Sequence, residues 1–235
     1  MPQDLARGKT LDDAQGVIGV TPGEYPPLPD AIASDVNAGR LDPRAWFLDP
    51  SRPFEIEIGC GKGSFILEES GASAGVNYLG IEWAREYYVY TADRLRRAAR
   101  KNVRMLHADG GDFLRWRCPD AIVHVVHLYF SDPWPKTKHH KNRVIQPRFL
   151  ADVARVLSPG GELRVVTDHD ELWAWDTQHF ADVTGDAGPF DMLPFTPPAW
   201  VGEGCVVGTN YEKKKCVAAG NKPPHAAVLR TRGGT

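Results

Sequence analysis

The stretch FEIEIGCGKGSFILEES, residues 54–70, has the clearest structural pattern in the chain. Apolar and acidic residues alternate over 54–58, which predicts a β-strand, and the glycines that follow predict a tight loop. The apolar residues of SFILEES predict the start of a helix, and NYLGIE, residues 77–82, predicts a second strand. A strand, a glycine-rich turn, a helix and a second strand together predict a βαβ unit with parallel strands.

The alternation of strands and helices continues along the chain. It predicts strands over 103–107, 122–130 and 162–167, helices over 84–101, 145–157 and 169–181, a long loop over 182–208, and an antiparallel pair formed by KKCVAA (214–219) and AAVLR (226–230). These elements indicate an α/β fold with a doubly wound, mostly parallel seven-stranded sheet and a terminal antiparallel hairpin.

Composition favours one domain that follows an amino-terminal arm. The chain has 235 residues, of which 42% are hydrophobic, and this is enough to bury a sizeable core. Residues 1–52 are rich in Pro, Gly and Asp and show little periodicity. We therefore expect residues 1–52 to form a loosely packed or mobile arm and residues 53–235 to form the domain.

The sequence predicts neither a metal site nor a membrane span. Its four cysteines form no CxxC pair, and His139 and His140 have no acid or cysteine nearby at ligand spacing. No apolar stretch is long enough to cross a bilayer, and the first residues lack the apolar region of a signal peptide. We expect a cytoplasmic protein with reduced thiols and no metal, while monomer and homodimer both stay open.

Three acids lie at the ends of three successive predicted strands. Glu57 precedes the first glycine of the turn by two residues, Glu82 ends the second strand and Asp109 follows the third. These positions suit a carboxylate that binds an ammonium group, one that accepts from ribose hydroxyls and one that accepts from an adenine amino group. Each acid alone is equally well a turn or cap residue, but together they favour an adenosine-bearing ligand. The dinucleotide fingerprint GxGxxG is incomplete, because Ser64 replaces its last glycine.

A fourth acid, Asp132, lies in FSDPWPKTKHHKNR, residues 130–143. A residue before proline is pushed to extended backbone, so Asp132 stands at the carboxyl end of the apolar strand, the edge at which α/β sheets bind ligands. The basic residues after it either contact nucleic-acid phosphates or form an exposed, solvated loop. The basic residues in question are Lys136, Lys138, Lys141 and Arg143.

Five motifs give the chain a resemblance to a known family. They are EIGCGKGSF (57–65), GIE (80–82), FSDPWPKTKHHKNR (130–143), VTD (166–168) and TNYE (209–212). In this order they resemble the tRNA (guanine-N7)-methyltransferase family over residues 54–231, and the Asp-Pro-Trp-Pro-Lys run is the most distinctive of them. The resemblance implies the Rossmann-like class I methyltransferase fold, S-adenosylmethionine as cofactor and tRNA as partner.

The resemblance also assigns roles to individual residues. Cofactor contacts fall on Glu57, Gly59, Gly61, Gly63, Glu82, Asp109 and Asp132, and substrate contacts fall on Lys136, Asp168, Thr209, Asn210, Tyr211 and Glu212. Guanine N7 has a lone pair and no proton, so its methylation needs no general base, and the purine becomes cationic instead. A fixed carboxylate stabilises that cation, which makes Asp132 the predicted catalytic residue.

Some alternatives stay open at this point. Asp168 with Glu171 fits a helix capping box as well as it fits guanine binding. Thr209 and Glu212 have the same spacing, but no apolar helical run follows them, which favours the substrate role. The rival functions are a nicotinamide-dependent oxidoreductase and a tRNA-binding module with a vestigial cofactor pocket.

Overall fold

The computed structural model describes residues 5–6, 8–216 and 223–232. The strands in these ranges are β1 (Phe54–Ile58), β2 (Asn77–Glu82), β3 (Val103–His107), β4 (Val123–Tyr129), β5 (Leu157–Thr167), β6 (Phe190–Leu193) and β7 (His225–Thr231). The helices are α1 (Ser64–Ala72), α2 (Arg85–Arg97), α3 (Gly110–Trp116), α4 (Pro147–Val156), α5 (Asp170–Thr184) and α6 (Asn210–Cys216). None of these helices is long and apolar enough to cross a membrane.

The strands form one mixed sheet in the order β3-β2-β1-β4-β5-β7-β6. Strand β2 pairs in parallel with β1 and β3, and β4 pairs in parallel with β5, whereas β7 runs antiparallel to both β5 and β6. The predicted doubly wound, mostly parallel seven-stranded sheet that ends in antiparallel strands is therefore confirmed. By the contacts between Cα atoms, the chain divides into two compact units, residues 1–119 and 120–235.

Three elements at the end of the chain differ from the prediction. The antiparallel partners of β7 are β5 and β6, and β6 lies inside the predicted long loop. Residues 214–216, expected in a strand, belong to helix α6, while residues 217–219 of the same predicted strand lie outside the described residues. The short, charged run NYEKKKC has neither an apolar face nor an apolar alternation, so periodicity could not identify it.

The first unit is built on a largely buried three-stranded layer, β1, β2 and β3. Phe54 and Ile56 of β1 and Leu79 of β2 have no exposed surface, and every residue of β2 is buried. Burial on both faces is what parallel strands covered by helices require. These strands therefore fix the positions of the residues at their carboxyl ends.

Part of the amino-terminal segment packs against β3 of this unit. Gly19 forms a parallel bridge with Met105, and Ile18 and Val20 beside it are buried. The buried guanidinium of Arg104 donates to both carboxylate oxygens of Glu24, at 2.9 and 2.8 Å. Residues 18–20 and Glu24 of the segment are therefore packed against the first unit. The domain boundary between residues 52 and 53 stays a prediction.

In the second unit, β4 and β5 carry the core. Val126 and Leu163 are fully buried, and Leu128 and Val165 are nearly so. The chain leaves β4 through Phe130 and Trp134, whose φ angles of 53° and 42° lie in the left-handed region. Such angles are uncommon outside glycine, so the surrounding structure must hold this turn in place.

Candidate active site

The glycine turn after β1 combines close packing with open space. Gly59, Gly61 and Gly63 have positive φ angles of 76°, 53° and 64°. A Cβ atom at Gly63 would lie 2.2 Å from the side chain of Thr91, whereas one at Gly59 or Gly61 would meet nothing within 4 Å. The third glycine is therefore needed for packing on α2, and the first two leave the turn open to a ligand.

Glu57 lies beneath this turn and is 4% exposed. Its Oε2 atom has no hydrogen-bond partner in the part of the chain that the structure describes. The pKa of Glu57 is raised to about 8, mainly by burial and in smaller part by the charge of Glu82, while hydrogen bonds from the Cys60 side chain and the Ile66 backbone oppose the rise. A buried carboxylate with a free oxygen is suited to a cationic ligand group, which would compensate its charge.

Glu82 braces the glycine turn from the end of β2. Its Oε2 atom accepts a hydrogen bond from the backbone N–H of Gly61, and its Oε1 atom accepts one from that of Ala84, both at 2.8 Å. Each carboxylate oxygen keeps one further lone pair. The acid predicted to bind ribose therefore also fixes the loop that would lie beside the same ligand.

Asp109 borders a cavity of about 560 Å³ in the first unit. Its Oδ1 atom accepts from the backbone N–H of Asp112, so it caps helix α3. Trp83, 72% exposed, and His107 line the same cavity, and residues 22 and 25–28 of the amino-terminal segment line it as well. This volume lies within the range of roughly 300–1,000 Å³ that is typical of pockets for small-molecule ligands.

Sequence reasoning missed the other residues that line this cavity. Trp83 directly follows the acid at the end of β2, and this position could have identified it. The segment around Tyr25 gave no such signal, because it is tied to the cavity by contacts distant in sequence. Arg117 lies over the Tyr25 ring at 4.9 Å and donates to the carbonyl of Pro26.

Asp132 lies in the second unit, in the turn that follows β4, and it is exposed. The two left-handed residues, Phe130 and Trp134, flank it. The ring of Trp134 meets that of His139 edge to face, with 5.7 Å between the ring centroids. Lys136, Lys138 and Lys141 are exposed in and beside the 3-10 helix Thr137–Asn142.

Arg143 differs from these lysines, because its side chain is only 1% exposed and binds Glu171 at 2.7 Å. Arg143 is therefore not part of an exposed, solvated loop, and its burial disfavours the other alternative, a contact with nucleic-acid phosphates. Its position in a run of exposed basic residues suggested an accessible charge, but a partner 28 residues away buries it.

The structure brings two of the predicted substrate residues together near that turn. The Tyr211 hydroxyl donates to Oδ2 of Asp168 at 3.1 Å, and the Tyr211 ring lies 5.2 Å from the ring of Phe130. The capping-box alternative for Asp168 is wrong, since helix α5 is capped by the side chain of His169, which accepts from the N–H of Leu172.

The other contacts made by TNYE are structural. Helix α6 begins at Asn210, and Oγ1 of Thr209 accepts from the N–H of Glu212 at 3.1 Å. The cap that the sequence argued against is therefore present. The buried Glu212 carboxylate accepts from the backbone N–H groups of residues 206–208. A substrate role for Thr209, Asn210 and Glu212 stays a prediction.

Comparison with known proteins gives consistent relatives. A family model described as "Putative methyltransferase" matches residues 51–185. A tRNA (guanine-N(7)-)-methyltransferase of Alkalilimnicola ehrlichii is 36% identical over 160 residues, which cover 68% of this chain and 62% of that protein. A protein of the same name from Mycolicibacterium paratuberculosis is 33% identical over 201 residues, which cover 81% of this chain and 72% of that protein.

The chain spans less than two thirds of some of these relatives, 62% of the first and 59% of one from Mycolicibacterium gilvum. Among solved structures, the 16S rRNA methyltransferase KamB is similar with a TM-score of 0.53 and 11% identity, over 89% of this chain and 95% of that one. This likeness agrees with the class I methyltransferase fold and says nothing further about the site.

Proposed function

We propose, from the premise that this chain belongs to the tRNA (guanine-N7)-methyltransferase family, that it transfers a methyl group from S-adenosylmethionine to N7 of a variable-loop guanine in tRNA. The observation that carries the proposal is the free, buried Oε2 atom of Glu57 beneath an open glycine turn. S-adenosylmethionine supplies an electrophilic methyl group on a sulfonium, and its amino-acid moiety supplies the ammonium that such a carboxylate would bind.

The residues of the first unit fit the other parts of this cofactor. The free lone pairs of Glu82 are suited to ribose hydroxyls, and the cavity beside Asp109 and Trp83 is suited to a purine ring. Gly59 and Gly61 allow close approach to the backbone. The proposed contacts of Asp109 with adenine and of Gly63 with the cofactor rest on the family resemblance.

The residues of the second unit suit the acceptor base. A guanine attacked through its N7 lone pair becomes cationic, and no proton has to be removed. The accessible carboxylate of Asp132, held in a turn that contains two prolines and two left-handed residues, is suited to stabilise that cation and to orient the base. Trp134 offers an aromatic face beside it, and Lys136, Lys138 and Lys141 are accessible to RNA phosphates.

We further propose that the enzyme acts in the cytoplasm, where tRNA is available to it. The rival oxidoreductase is disfavoured by Ser64 at the last position of the dinucleotide fingerprint. A vestigial pocket is disfavoured by Glu57, which is costly to bury without a ligand to compensate it.

The direct test is incubation of the purified protein with methyl-labelled S-adenosylmethionine and tRNA transcripts, followed by nucleoside analysis. The expected product is 7-methylguanosine, lost when the variable-loop guanine is replaced by adenine. Label in another nucleoside would contradict the target. Binding of tRNA without label transfer would favour the RNA-binding alternative.

A further inference from the structure

We infer that Arg143 is a positioning residue, which fixes the Asp132-Pro-Trp-Pro turn from beneath and does not touch the substrate. The inference rests on the proposed function for the role of Asp132, but the contacts that carry it lie wholly within the second unit. Nε of Arg143 donates to the carbonyl oxygen of Pro133 at 2.9 Å, one residue beyond Asp132. The guanidinium therefore binds the backbone of the turn itself.

The guanidinium is held on its other side by helix α5. Its Nη2 atom donates to Oε1 of Glu171 at 2.7 Å, and its Cζ atom lies 5.1 Å from the centre of the Trp175 ring. The Arg143 charge holds the pKa of Glu171 below its ordinary value, because the two side chains share a charge-assisted hydrogen bond. The planar guanidinium of Arg143 thus links the turn at Pro133 to helix α5 at Glu171.

Contacts of the residues on either side of Arg143 also attach this segment to helix α5. The rings of His140 and Trp175 lie 5.5 Å apart, edge to face, and Nε1 of Trp175 donates to the carbonyl of Ile145 at 2.8 Å. The side chain of Gln146 donates to the carbonyl of Arg143 at 3.3 Å. The segment that carries the exposed lysines is therefore docked on α5 by its buried side chains.

A buried acid, Asp176, interacts electrostatically with the same guanidinium. Asp176 is 1% exposed, and its Oδ1 atom has no hydrogen-bond partner within the described ranges. Burial raises the pKa of Asp176 to about 7, and the charge of Arg143 acts in the opposite direction. The buried guanidinium is compensated by its ion pair with Glu171, and Asp176 interacts with the same charge.

The hydrogen bond from Arg143 to Pro133 restrains the turn that carries Asp132. Phe130 and Trp134 occupy left-handed backbone conformations, which cost free energy unless the surroundings enforce them. The bond to Pro133 lies between these two residues in sequence and supplies such a restraint. Since displacement of a reacting group by about 1 Å can lower a rate about 100-fold, a restraint on this turn is a restraint on the chemistry of Asp132.

The test compares Arg143→Met and Arg143→Lys with Arg148→Met, which removes one exposed arginine charge from α4. We expect kcat to fall about 10- to 100-fold in both Arg143 variants, with KM for tRNA and the salt dependence of tRNA binding unchanged. The lysine variant is decisive. A phosphate contact tolerates lysine, whereas a bidentate bridge does not. Arg148→Met should leave kcat unchanged.

A second readout does not depend on activity. In protein labelled with 5-fluorotryptophan, the Trp134 resonance, assigned through Trp134→Phe, should shift or broaden in the Arg143 variants, while that of Trp46 in the first unit should not. If the Arg143 variants fail to fold, Glu171→Gln tests the same bridge with Arg143 intact and should move the same resonance.

A wild-type rate in Arg143→Lys, or a salt slope lowered by about one with kcat intact, would overturn the inference and make Arg143 a phosphate contact. An unchanged Trp134 resonance in folded variants would also overturn it. If the wild-type protein forms no 7-methylguanosine, the proposed function fails, while the fluorine spectra still decide whether Arg143 fixes the turn.

Discussion

The carboxylate of Glu82 accepts a 2.8 Å hydrogen bond from the backbone N–H of Gly61, so the acid at the end of β2 holds the turn that follows β1. Two residues predicted to bind one cofactor thus also stabilise each other. A second bond, from the N–H of Ala84, occupies the other oxygen of the same carboxylate. An amide side chain at position 82 cannot accept on both sides, because one of its ends is a donor.

Glu82→Gln should therefore weaken S-adenosylmethionine binding by about 1–3 kcal/mol, the range for leaving a buried polar group unsatisfied. The loss combines a weaker ribose contact with a glycine turn that is no longer braced. Isothermal titration calorimetry measures it, and Glu86→Gln, an exposed acid on α2, is the matched control. Unchanged affinity in a folded Glu82→Gln protein would remove Glu82 from the site.

Cofactor binding should release a proton from Glu57. Burial raises its pKa to about 8, so the free protein holds this carboxyl mostly protonated at neutral pH. An ammonium ligand favours the charged form, and the proton must leave on binding. Affinity should rise with pH between about 5 and 7, by up to about tenfold per unit, since the ligand's own α-amino group titrates only from about 7.7.

Isothermal titration calorimetry of S-adenosylmethionine binding, repeated in buffers of different ionisation enthalpy, measures the number of protons released. Glu57→Gln should lower affinity and abolish the pH dependence below neutrality. The assignment of Glu57 to the ammonium fails if the wild-type protein shows no proton release, or if the glutamine variant shows the same pH profile as the wild type.

The segment that precedes β1 should contribute to cofactor affinity. Residues 22 and 25–28 line the cavity beside Asp109, and Glu24 holds this segment on the buried Arg104. Glu24→Gln should weaken cofactor binding by about 1–3 kcal/mol and expose residues 20–40 to limited proteolysis. Glu69→Gln, an acid on α1, is the control. Full affinity with an accessible segment would show that this wall of the cavity is dispensable.

The sequence predicted the elements whose pattern is local. Strands β1, β2 and β3 have the predicted bounds, because each is a short run whose strand pattern is local and is bounded by turn residues. Helix α2 ends at Arg97 and not at residue 101, since Ala99 takes a left-handed conformation with a φ of 52°. Helix α3 was not predicted, because seven residues are too few for a clear helical period.

In the candidate site, too, the features that depend on local sequence were predicted, and those that depend on contacts between distant residues were not. Acids at strand ends are visible in the sequence, and Glu57 proved to be buried with a free oxygen. The burial of Arg143 was not visible, because Glu171 and Trp175, which cover it, belong to a different element. Likewise the cap of α6 by Thr209 needs no apolar run when the buried Glu212 binds three backbone N–H groups.

Neutralising Lys138 and Lys141 together should weaken tRNA binding and lower the slope of its salt dependence by up to about two, roughly one for each phosphate that is no longer neutralised. Both lysines are exposed, in contrast to Arg143. Cofactor affinity should not change. Binding titrations at several salt concentrations measure the slope, with Lys9→Gln combined with Lys101→Gln as a charge-matched control. Equal slopes in the two double variants would make the run a solvated surface.

Asp132→Asn should lower methyl transfer by about 100-fold or more while leaving the fold and most of the tRNA affinity intact. The side chain keeps its shape and loses only its charge, and a loss on this scale is typical when one preorganised electrostatic partner of a transition state is removed. Single-turnover kinetics with saturating tRNA isolate the chemical step, where the loss should appear. A variant that fails only in tRNA binding would make Asp132 a binding residue.

A substrate change tests the same mechanism from the side of the base. In 7-deazaguanine a carbon replaces the nitrogen that carries the lone pair, so tRNA with this base in the variable loop should bind normally and accept no methyl group there. The wild-type protein and Asp132→Asn should then be equally inactive, because the carboxylate acts only on a cation that can no longer form. Methylation of the 7-deaza substrate at another nitrogen would instead mean that a proton is removed, and Asp132 would become a candidate base rather than an electrostatic partner.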